Sequence, residues 1–165
     1  MVISTNIAQT LDPKDRRILA LVQRDAKLPQ AEIARRVGLS AASVNERLRK
    51  LENAGVIRRY VAVVDPPAVG ATVTAFVDVF IEHPRFEPAF ITRVLAMDEV
   101  QEVHHITGEF SLLLKLRVAG MEALQQLLIH HLNAIEGVRQ TRTVIALSTS
   151  KEESYVATGG EGETR

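Results

Sequence analysis

Two different spacings of apolar residues divide this chain into a helical front part and a mixed rear part. Over residues 11–55, apolar side chains recur every three or four positions, which is the spacing of one buried helix face. The pattern predicts three short helices, opened by Pro13, Pro29 and Ala41. Beyond residue 70, strand-like alternation is interspersed with helical spacing, which predicts a second domain.

Residues with the chemistry of helix caps stand at the ends of the predicted helices. Asp12 can cap the first helix, and Asp15 follows it three residues later. Ser40 can cap the third helix, predicted over residues 41–54. Gly38 suits the left-handed backbone that ends a helix, so it can end the second one. Two short helices joined by a glycine turn are typical of a helix-turn-helix.

The rear part predicts the element order β-α-β-β-α-β, which is the ferredoxin-like arrangement. Gly108-Glu109 fits a two-residue hairpin turn between the strands predicted at 100–107 and 110–118. The fold class is therefore α+β, with an N-terminal winged helix-turn-helix of three helices, a linker strand and a C-terminal ferredoxin-like domain. The six predicted elements of that domain are residues 72–82, 86–97, 100–107, 110–118, 121–133 and 138–147.

The same patterns set the domain boundaries. We expect a helix-turn-helix domain over residues 1–55, a linker strand and hinge over 56–70, and the ferredoxin-like domain over 71–150. Residues 56–64 are rich in β-branched side chains and are predicted to be extended, up to two prolines that stop a strand. Residues 151–165 lack a core pattern and are rich in glycine, so we expect a disordered tail.

Charge changes this picture, because the net charge of zero hides an asymmetry. Residues 1–64 carry twelve Lys and Arg against six Asp and Glu, and residues 65–165 carry eight against fourteen. The front part, at +6, can attract phosphate, whereas the rear part, at −6, repels it. There is no cysteine, which excludes disulfides and thiolate metal sites. No apolar run reaches about 18 residues and no signal peptide is evident, so we expect a cytoplasmic protein.

The exposed side of the predicted third helix carries groups that can bind double-stranded DNA. The second helix of a helix-turn-helix pair lies in the major groove, where Asn can read adenine and Arg can read guanine. We therefore expect Asn45 to contact adenine, and Arg47 or Arg49 to contact guanine. Basic residues nearby should contact phosphates, which adds affinity without sequence choice; they are Lys50, Arg35, Arg36, Arg58 and Arg59. The full set of predicted DNA-binding residues is Ser40, Ser43, Asn45, Glu46, Arg47, Arg49, Lys50, Arg35 and Arg36.

Two alternatives remain open for this helix. It can be an ordinary amphipathic helix whose charged face is only solvated. Arg47 can also form an ion pair with Glu32 or Glu46 instead of reading a base.

Apolar side chains on both faces of the predicted sheet point to a homodimer. Phe76, Phe80 and Leu113 fall on the strand face opposite the one that packs on the helices. A single chain would leave this face uncovered, and such patches mark interfaces. A dimer through the sheets would also bring two reading helices to one palindromic site.

Several of these motifs together resemble the Lrp/AsnC family, the feast/famine regulators. The resemblance runs from about Leu11 to Leu147, and its strongest parts are IARRVGLS at 33–40, LENAGVI at 51–57 and TGEF at 107–110. It implies a DNA-binding transcription regulator that is not an enzyme, with a RAM-type ferredoxin-like domain. It also implies dimers, often assembled into octamers, and amino-acid effectors bound between dimers without a cofactor.

The hairpin at residues 107–111 is the best candidate for the effector site. Free backbone N–H groups near a glycine can hold a carboxylate, and the resemblance implies that residues 144–146 and the start of the last helix complete the pocket. Ser111 departs from the family pattern, which often has Asp there to suit an amino group. The predicted effector-binding residues are His105, Thr107, Gly108, Glu109, Phe110, Ser111, Met121, Val144 and Ala146. No metal is expected, since the adjacent histidine pairs at 104–105 and 130–131 diverge on a strand or helix.

Two other functions share this architecture. Sirohaem decarboxylases resemble the same family in both domains, and there His104 or His105 would act as an acid or bind a propionate. An architectural protein that wraps DNA with modest sequence choice is the third possibility. Sirohaem binding would distinguish a decarboxylase from a regulator, and extended phased footprints would identify an architectural protein.

Overall fold

The computed structural model describes residues 11–159. The chain divides into two compact units. Among the described residues, the helical unit contains 11–62 and 152–159, and the sheet unit contains Val63–Lys151. The chain therefore leaves the helical unit once and returns to it at its C-terminal end.

Three helices form the helical unit: α1 is Pro13–Arg24, α2 is Gln30–Val37 and α3 is Ala41–Asn53. The predicted caps are confirmed. Asp12 accepts a hydrogen bond from the backbone of Asp15, whose side chain accepts one back. Gly38 has φ +66°, and its N–H donates to the carbonyl of Ala34, which ends α2 in the left-handed geometry. The three helices bury one apolar cluster: Ile18, Leu19, Val22, Ile33, Ala34, Val37, Val44, Leu48 and Leu51.

The sheet unit has four antiparallel strands in the spatial order β2-β3-β1-β4, which confirms the ferredoxin-like arrangement. Two helices follow β1 and β3, and the second continues from an α-helix into a π-helical segment. The elements are β1 Val73–Ile81, α4 Glu87–Val94, β2 Val100–His105, β3 Leu112–Val118, α5 Met121–Gln126 with its π-helical continuation Leu127–Leu132, and β4 Val138–Ile145.

The two faces of this sheet differ. Alternate residues of β1 and β3, such as Val77 and Leu114, are fully buried against Phe90 of α4 and Leu124 of α5. On the opposite side, which we call the open face, Phe76, Phe80 and Leu113 are half-buried and Asp78 is buried. The predicted division of residues between the two faces is confirmed.

Three local predictions are corrected. The helix predicted over 86–97 is a 3-10 turn at Pro84–Phe86 followed by a shorter α4. The turn after β2 is wider than the two-residue hairpin expected. Ile106 donates to the Ser111 carbonyl at 3.1 Å, so four residues span the loop, and Phe110 is buried instead of opening β3.

The linker contains no strand over residues 56–64 in the structure. A strand needs a neighbour to receive its backbone hydrogen bonds, and residues 56–64 pair with no strand of the described chain, not even with the edge strands β2 and β4. Tyr60 donates instead to the Glu52 side chain at 2.9 Å, which holds the start of the linker against the end of α3.

The expectation of a disordered tail does not hold for residues 154–158. These residues lie along α1, held by hydrogen bonds with Arg16 and Gln23 of that helix. Composition predicted disorder because the segment has no core pattern, yet three of its hydrogen bonds with α1 use its own backbone, which composition does not reveal. Residues 160–165 lie outside the described residues.

Candidate nucleic-acid interface and effector site

The outer side of α3 presents an uninterrupted polar and small-residue surface, which we call the reading face. Val44, Leu48 and Leu51 point into the core, and this fixes which side of the helix stays outside. Ser40 caps the helix by accepting from the N–H of Ser43 at 3.1 Å. The exposed residues of the reading face are Ala41, Ala42, Asn45, Glu46, Arg49 and Lys50.

Arg47 does not belong to the reading face. Its Nη1 lies 2.5 Å from Asp12 Oδ2 and 2.7 Å from Asp15 Oδ1, so the guanidinium joins α3 to the start of α1. These contacts raise the pKa of Arg47. The N–H of Asp15, and then Arg47, lower the pKa of Asp12. Arg47 is therefore turned away from the base contact predicted for it, and its partners are neither Glu32 nor Glu46.

Asn45 and Arg49 remain exposed on the reading face. Asn45 is exposed and its Oδ1 is 3.4 Å from Nε2 of Gln30, a long hydrogen bond that a base edge can replace. Arg49 has no hydrogen-bond or ion-pair partner within residues 11–159. Glu46 pairs with Lys50 at 2.7 Å across one helical turn, and both are exposed, so this pair is weak.

The basic residues predicted to contact phosphates fall into two groups. Arg35 binds Glu32 through two hydrogen bonds of 2.8 and 2.7 Å, and Arg36 binds the same carboxylate at 2.6 Å. The hydrogen bonds from Arg35 and then Arg36 lower the pKa of Glu32 to about 2. Arg58 and Arg59 are exposed and have no such partner in the described part of the chain. A phosphate therefore has to compete with Glu32 for the first two arginines but not for the second two.

The candidate effector loop lies at one end of the sheet. Thr107, Gly108 and Glu109 are exposed, and Gly108 has φ +117°, which favours glycine. Ser111 is half-buried, and its N–H donates to the Val79 carbonyl at 3.0 Å. His105, the last residue of β2, is exposed and lies 3.6 Å from Glu87.

The structure does not bring this loop together with the other predicted effector residues in one chain. The loop adjoins Leu112, which pairs with Val79 of β1, whereas Ile145 pairs with Ala75. Four residues along an antiparallel strand span about 14 Å. Val144, Ala146 and Met121 therefore stand at the opposite end of the sheet from the loop. Within one chain, β3 separates the loop that precedes it from the helix that follows it, so the predicted effector residues form two groups.

Sequence reasoning missed an ion pair on the open face. The Asp78 carboxylate, 8% exposed, accepts from Arg142 Nε at 2.8 Å and lies 2.7 Å from Arg142 Nη2. The same guanidinium stacks on the Phe110 ring, 5.1 Å from its centroid. A single acidic residue within the apolar strand sequence of β1 was the available signal. The pair links the open face to the candidate effector loop.

The histidines of β2 make ordinary polar contacts. His104 Nε2 lies 3.0 Å from Glu102, which also accepts from Lys115 at 3.0 Å. These two hydrogen bonds, His104 first, lower the pKa of Glu102. Within residues 11–159, no three His, Asp or Glu side chains form a group that could hold a metal ion. No helix among those residues is long and apolar enough to cross a membrane.

A helix-turn-helix with an exposed second helix, joined to a β-α-β-β-α-β unit, defines a DNA-binding regulator with a ligand-binding domain. Comparison with known families agrees. A winged helix-turn-helix DNA-binding model matches residues 11–58, and the Lrp/AsnC ligand binding domain model matches residues 74–156. The chain belongs to the Lrp/AsnC family of transcriptional regulators.

Individual relatives are similar over nearly their whole lengths. The leucine-responsive regulatory protein of Escherichia coli K12 is 37% identical, over 86% of this chain and 88% of that protein. The HTH-type transcriptional regulator FL11 of Pyrococcus abyssi is 34% identical, over 87% and 93%. The structure of a Neisseria meningitidis transcriptional regulator in complex with L-methionine has a TM-score of 0.85 and 29% identity, over 88% and 96%. These relatives are regulators, so the decarboxylase and architectural alternatives are not favoured.

Proposed function

We propose that this chain regulates transcription by binding specific duplex DNA sequences through the reading face of α3. The observation that carries the proposal is the exposure of Asn45 and Arg49 on the second helix of the helix-turn-helix. Asn45 would read adenine and Arg49 guanine, each through paired hydrogen bonds in the major groove. Because its partner would be chromosomal DNA, we also propose a cytoplasmic location.

The remaining residues around α3 would hold the helix in place. Lys50, Arg58 and Arg59 would contact phosphates, joined by Arg35 and Arg36 when a phosphate displaces Glu32. Ser40, Ser43 and Glu46 lie at the start and along the side of α3, from where they would reach the same groove. Arg47 would act indirectly, by fixing α3 against α1 through Asp12 and Asp15.

We propose further that two copies pair through the open face of the sheet. Phe76, Phe80 and Leu113 remain half-buried there, and no helix of the sheet unit covers them among the described residues. Pairing would complete their burial and present two copies of α3 to one palindromic site. Light scattering at micromolar concentration tests this: a dimer or a larger assembly is expected, and a monomer would contradict it.

A small effector, an amino acid in the simplest case, would bind where copies meet. One regulator of similar fold is seen in complex with L-methionine. In this chain the loop at residues 107–111 and the group at Val144, Ala146 and Met121 stand at opposite ends of the sheet. A pocket that uses both would therefore take one from each of two copies, in a dimer or in an octamer.

The reading role is tested with Asn45→Ala and Lys50→Ala, measured by fluorescence anisotropy on selected and scrambled duplexes. We expect Asn45→Ala to relax preference at one base position, at a cost of about 1–3 kcal/mol. Lys50→Ala should weaken binding to every sequence and lower the salt slope by about one. Gln125→Ala, on the exposed side of α5, is the control. Equal losses on both duplexes for Asn45→Ala would refute base reading by this residue.

The effector is sought by thermal-shift screening of the common amino acids, because a ligand that binds only the folded state raises apparent stability. Ser111→Asp then tests the loop. An added carboxylate should change affinity for an amino-acid ligand, since it can pair with an ammonium group. If the affinity for every amino acid is unaltered, the loop is not the site.

A further inference from the structure

The C-terminal segment makes a specific set of contacts with α1 that its composition does not suggest. Gln23 uses its side-chain amide twice: Nε2 donates to the Val156 carbonyl at 3.0 Å, and Oε1 accepts from the Val156 N–H at 2.9 Å. This is the pairing that a neighbouring strand would offer, so it holds the backbone of Val156 without regard to its side chain.

Contacts on both sides of Val156 fix the direction of the segment. Arg16 donates to the Thr158 carbonyl at 2.7 Å, and the Thr158 hydroxyl donates back to the Arg16 carbonyl at 3.0 Å. Toward the other end of the helix, the Arg24 guanidinium stacks on the Tyr155 ring, 5.4 Å from its centroid. The segment therefore runs antiparallel to α1, in a single register along two turns of the helix.

Chain lengths give this contact a mechanical consequence. Residues 54–72 link the end of α3 to the start of β1. Fully extended, this linker can span about 63 Å. The connection from the end of β4 to the bound segment, residues 146–153, can reach only about 26 Å. With residues 154–158 bound, the shorter connection limits how far α1 can move from the end of β4.

We propose that residues 154–158 are a strap that docks on α1 of the same chain and acts as a second, shorter tether between the helical and sheet units. Its consequence for DNA binding rests on the proposed function: the tether restricts the separation of two reading helices in a dimer. The full-length protein then accepts a narrow range of half-site spacings, and a chain without the strap accepts a broader one.

Docking is tested first, by hydrogen exchange of the segment 152–159 in the full-length protein, without DNA. We expect exchange at least about tenfold slower than in an unstructured peptide, because the Val156 N–H is hydrogen-bonded. Gln23→Ala should remove the protection, Gln23→Glu should keep part of it because a carboxylate still accepts, and Gln125→Ala should change nothing. Coil-like exchange in the unmodified protein, or full protection in Gln23→Ala, would overturn the proposal.

Docking within one chain is tested by cysteine cross-linking. The unmodified chain has no cysteine, so only the introduced cysteines can react. The double variant Gln23→Cys/Val156→Cys is treated with a short bis-maleimide. A cross-linked product with the mass of one chain is expected, and the single variant Val156→Cys, as the control, cannot form a link within one chain. Products that are mostly two chains would show that the segment binds a second copy, which contradicts the proposal.

The tether is tested with chains that end after Lys151 or, as the matched control, after Gly159. Binding is measured to a selected palindromic duplex and to versions with two or five base pairs inserted between the half-sites. Each insertion should weaken DNA binding by the full-length and control chains. We expect this loss of affinity to be at least about tenfold larger than the loss that the same insertion causes in the chain ending at Lys151. Gln23→Ala, which loses the docking contact without truncation, should tolerate the insertions as the short chain does. This agreement would exclude misfolding of the truncated chain as the cause.

The outcomes separate the two proposals. Equal insertion penalties in all chains, with the segment shown to be docked, would overturn the tether and leave sequence-specific binding intact. If no duplex is preferred by the full-length protein, the proposed function fails, whereas docking on α1 is still decided by hydrogen exchange and cross-linking.

Discussion

The helical unit and the sheet unit assemble their candidate sites in different ways. In the helical unit, the groups that face DNA come from one stretch of 30 residues, 30–59, folded as two helices and a turn. In the sheet unit, the candidate effector residues come from segments that the antiparallel topology sends to opposite ends. As we propose them, the first site is complete within one chain, whereas the second takes residues from another copy.

This contrast teaches where oligomer formation matters. A helix-turn-helix needs a partner only to reach a second half-site, since each reading face is already built. A pocket divided between two chains does not form without the partner chain. Effector binding should therefore depend on assembly more steeply than the contact of a single reading helix with DNA.

The largest expected effect separates the two faces of the sheet. Leu114→Ala removes a fully buried side chain from the core, so it should lower the free energy of unfolding by about 2–5 kcal/mol. Leu113→Ala, one residue away on the open face, should cost less than about 1.5 kcal/mol and should instead weaken the dimer. Urea unfolding and sedimentation equilibrium measure the two effects. Equal stability losses with no change in the dimer would show that the open face is not an interface.

Complementation tests whether the effector pocket is split between copies. Gly108→Val should distort the loop, since valine disfavours φ +117°, and Met121→Arg should block the other end of the sheet. Each variant alone should lose effector binding in calorimetry. A co-refolded equal mixture should recover about one quarter of the sites, because each half is intact in half of the copies. Mixing either variant with the unmodified chain, as a control, should recover about one half; no recovery in the first mixture would place the pocket in one chain.

Two arginines of α3 sharpen the comparison within the helical unit. Arg47→Ala breaks the contacts with Asp12 and Asp15, and should destabilise the helical unit by about 1 kcal/mol, as expected for a partly exposed network. Arg49→Ala should leave stability within about 0.5 kcal/mol and weaken specific DNA binding. Thermal unfolding and anisotropy distinguish them. If Arg47→Ala changed base preference and left the unfolding temperature unaltered, Arg47 would be a base-reading residue, which would contradict its structural role.

The smallest effect is a pH dependence at Glu32. Its pKa is about 2 in the folded chain against 4.5 for the free side chain, so its contribution to stability is present above pH 4.5. The contribution is lost as pH falls toward 2, when the carboxylate takes up a proton. Carboxyl carbon NMR should give the low value in the unmodified chain and a higher one in Arg35→Gln. An unshifted Glu32 in the unmodified chain would contradict the pairing.

Features that depend on neighbouring residues could be predicted from the sequence. The caps at Asp12 and Ser40, the turn at Gly38 and the alternating faces of β1 are set by residues a few positions apart. Partners far along the chain could not. Arg47 meets Asp12 across 35 positions, and Val156 meets Gln23 across 133. The linker at 56–64 shows the reverse error, since its residues favour a strand but pair with no strand among residues 11–159.

The Arg47 contacts also bear on engineering. A library meant to retarget this regulator to a new operator should vary Ala41, Ala42, Asn45 and Arg49, and should hold Arg47, Asp12 and Asp15 constant. Randomising Arg47 along with its neighbours would add members in which α3 is held less firmly against α1, and these would score as weaker binders whatever their base-reading residues. Position 47, though it lies between two candidate reading residues, belongs to the scaffold of such a library and not to its variable set.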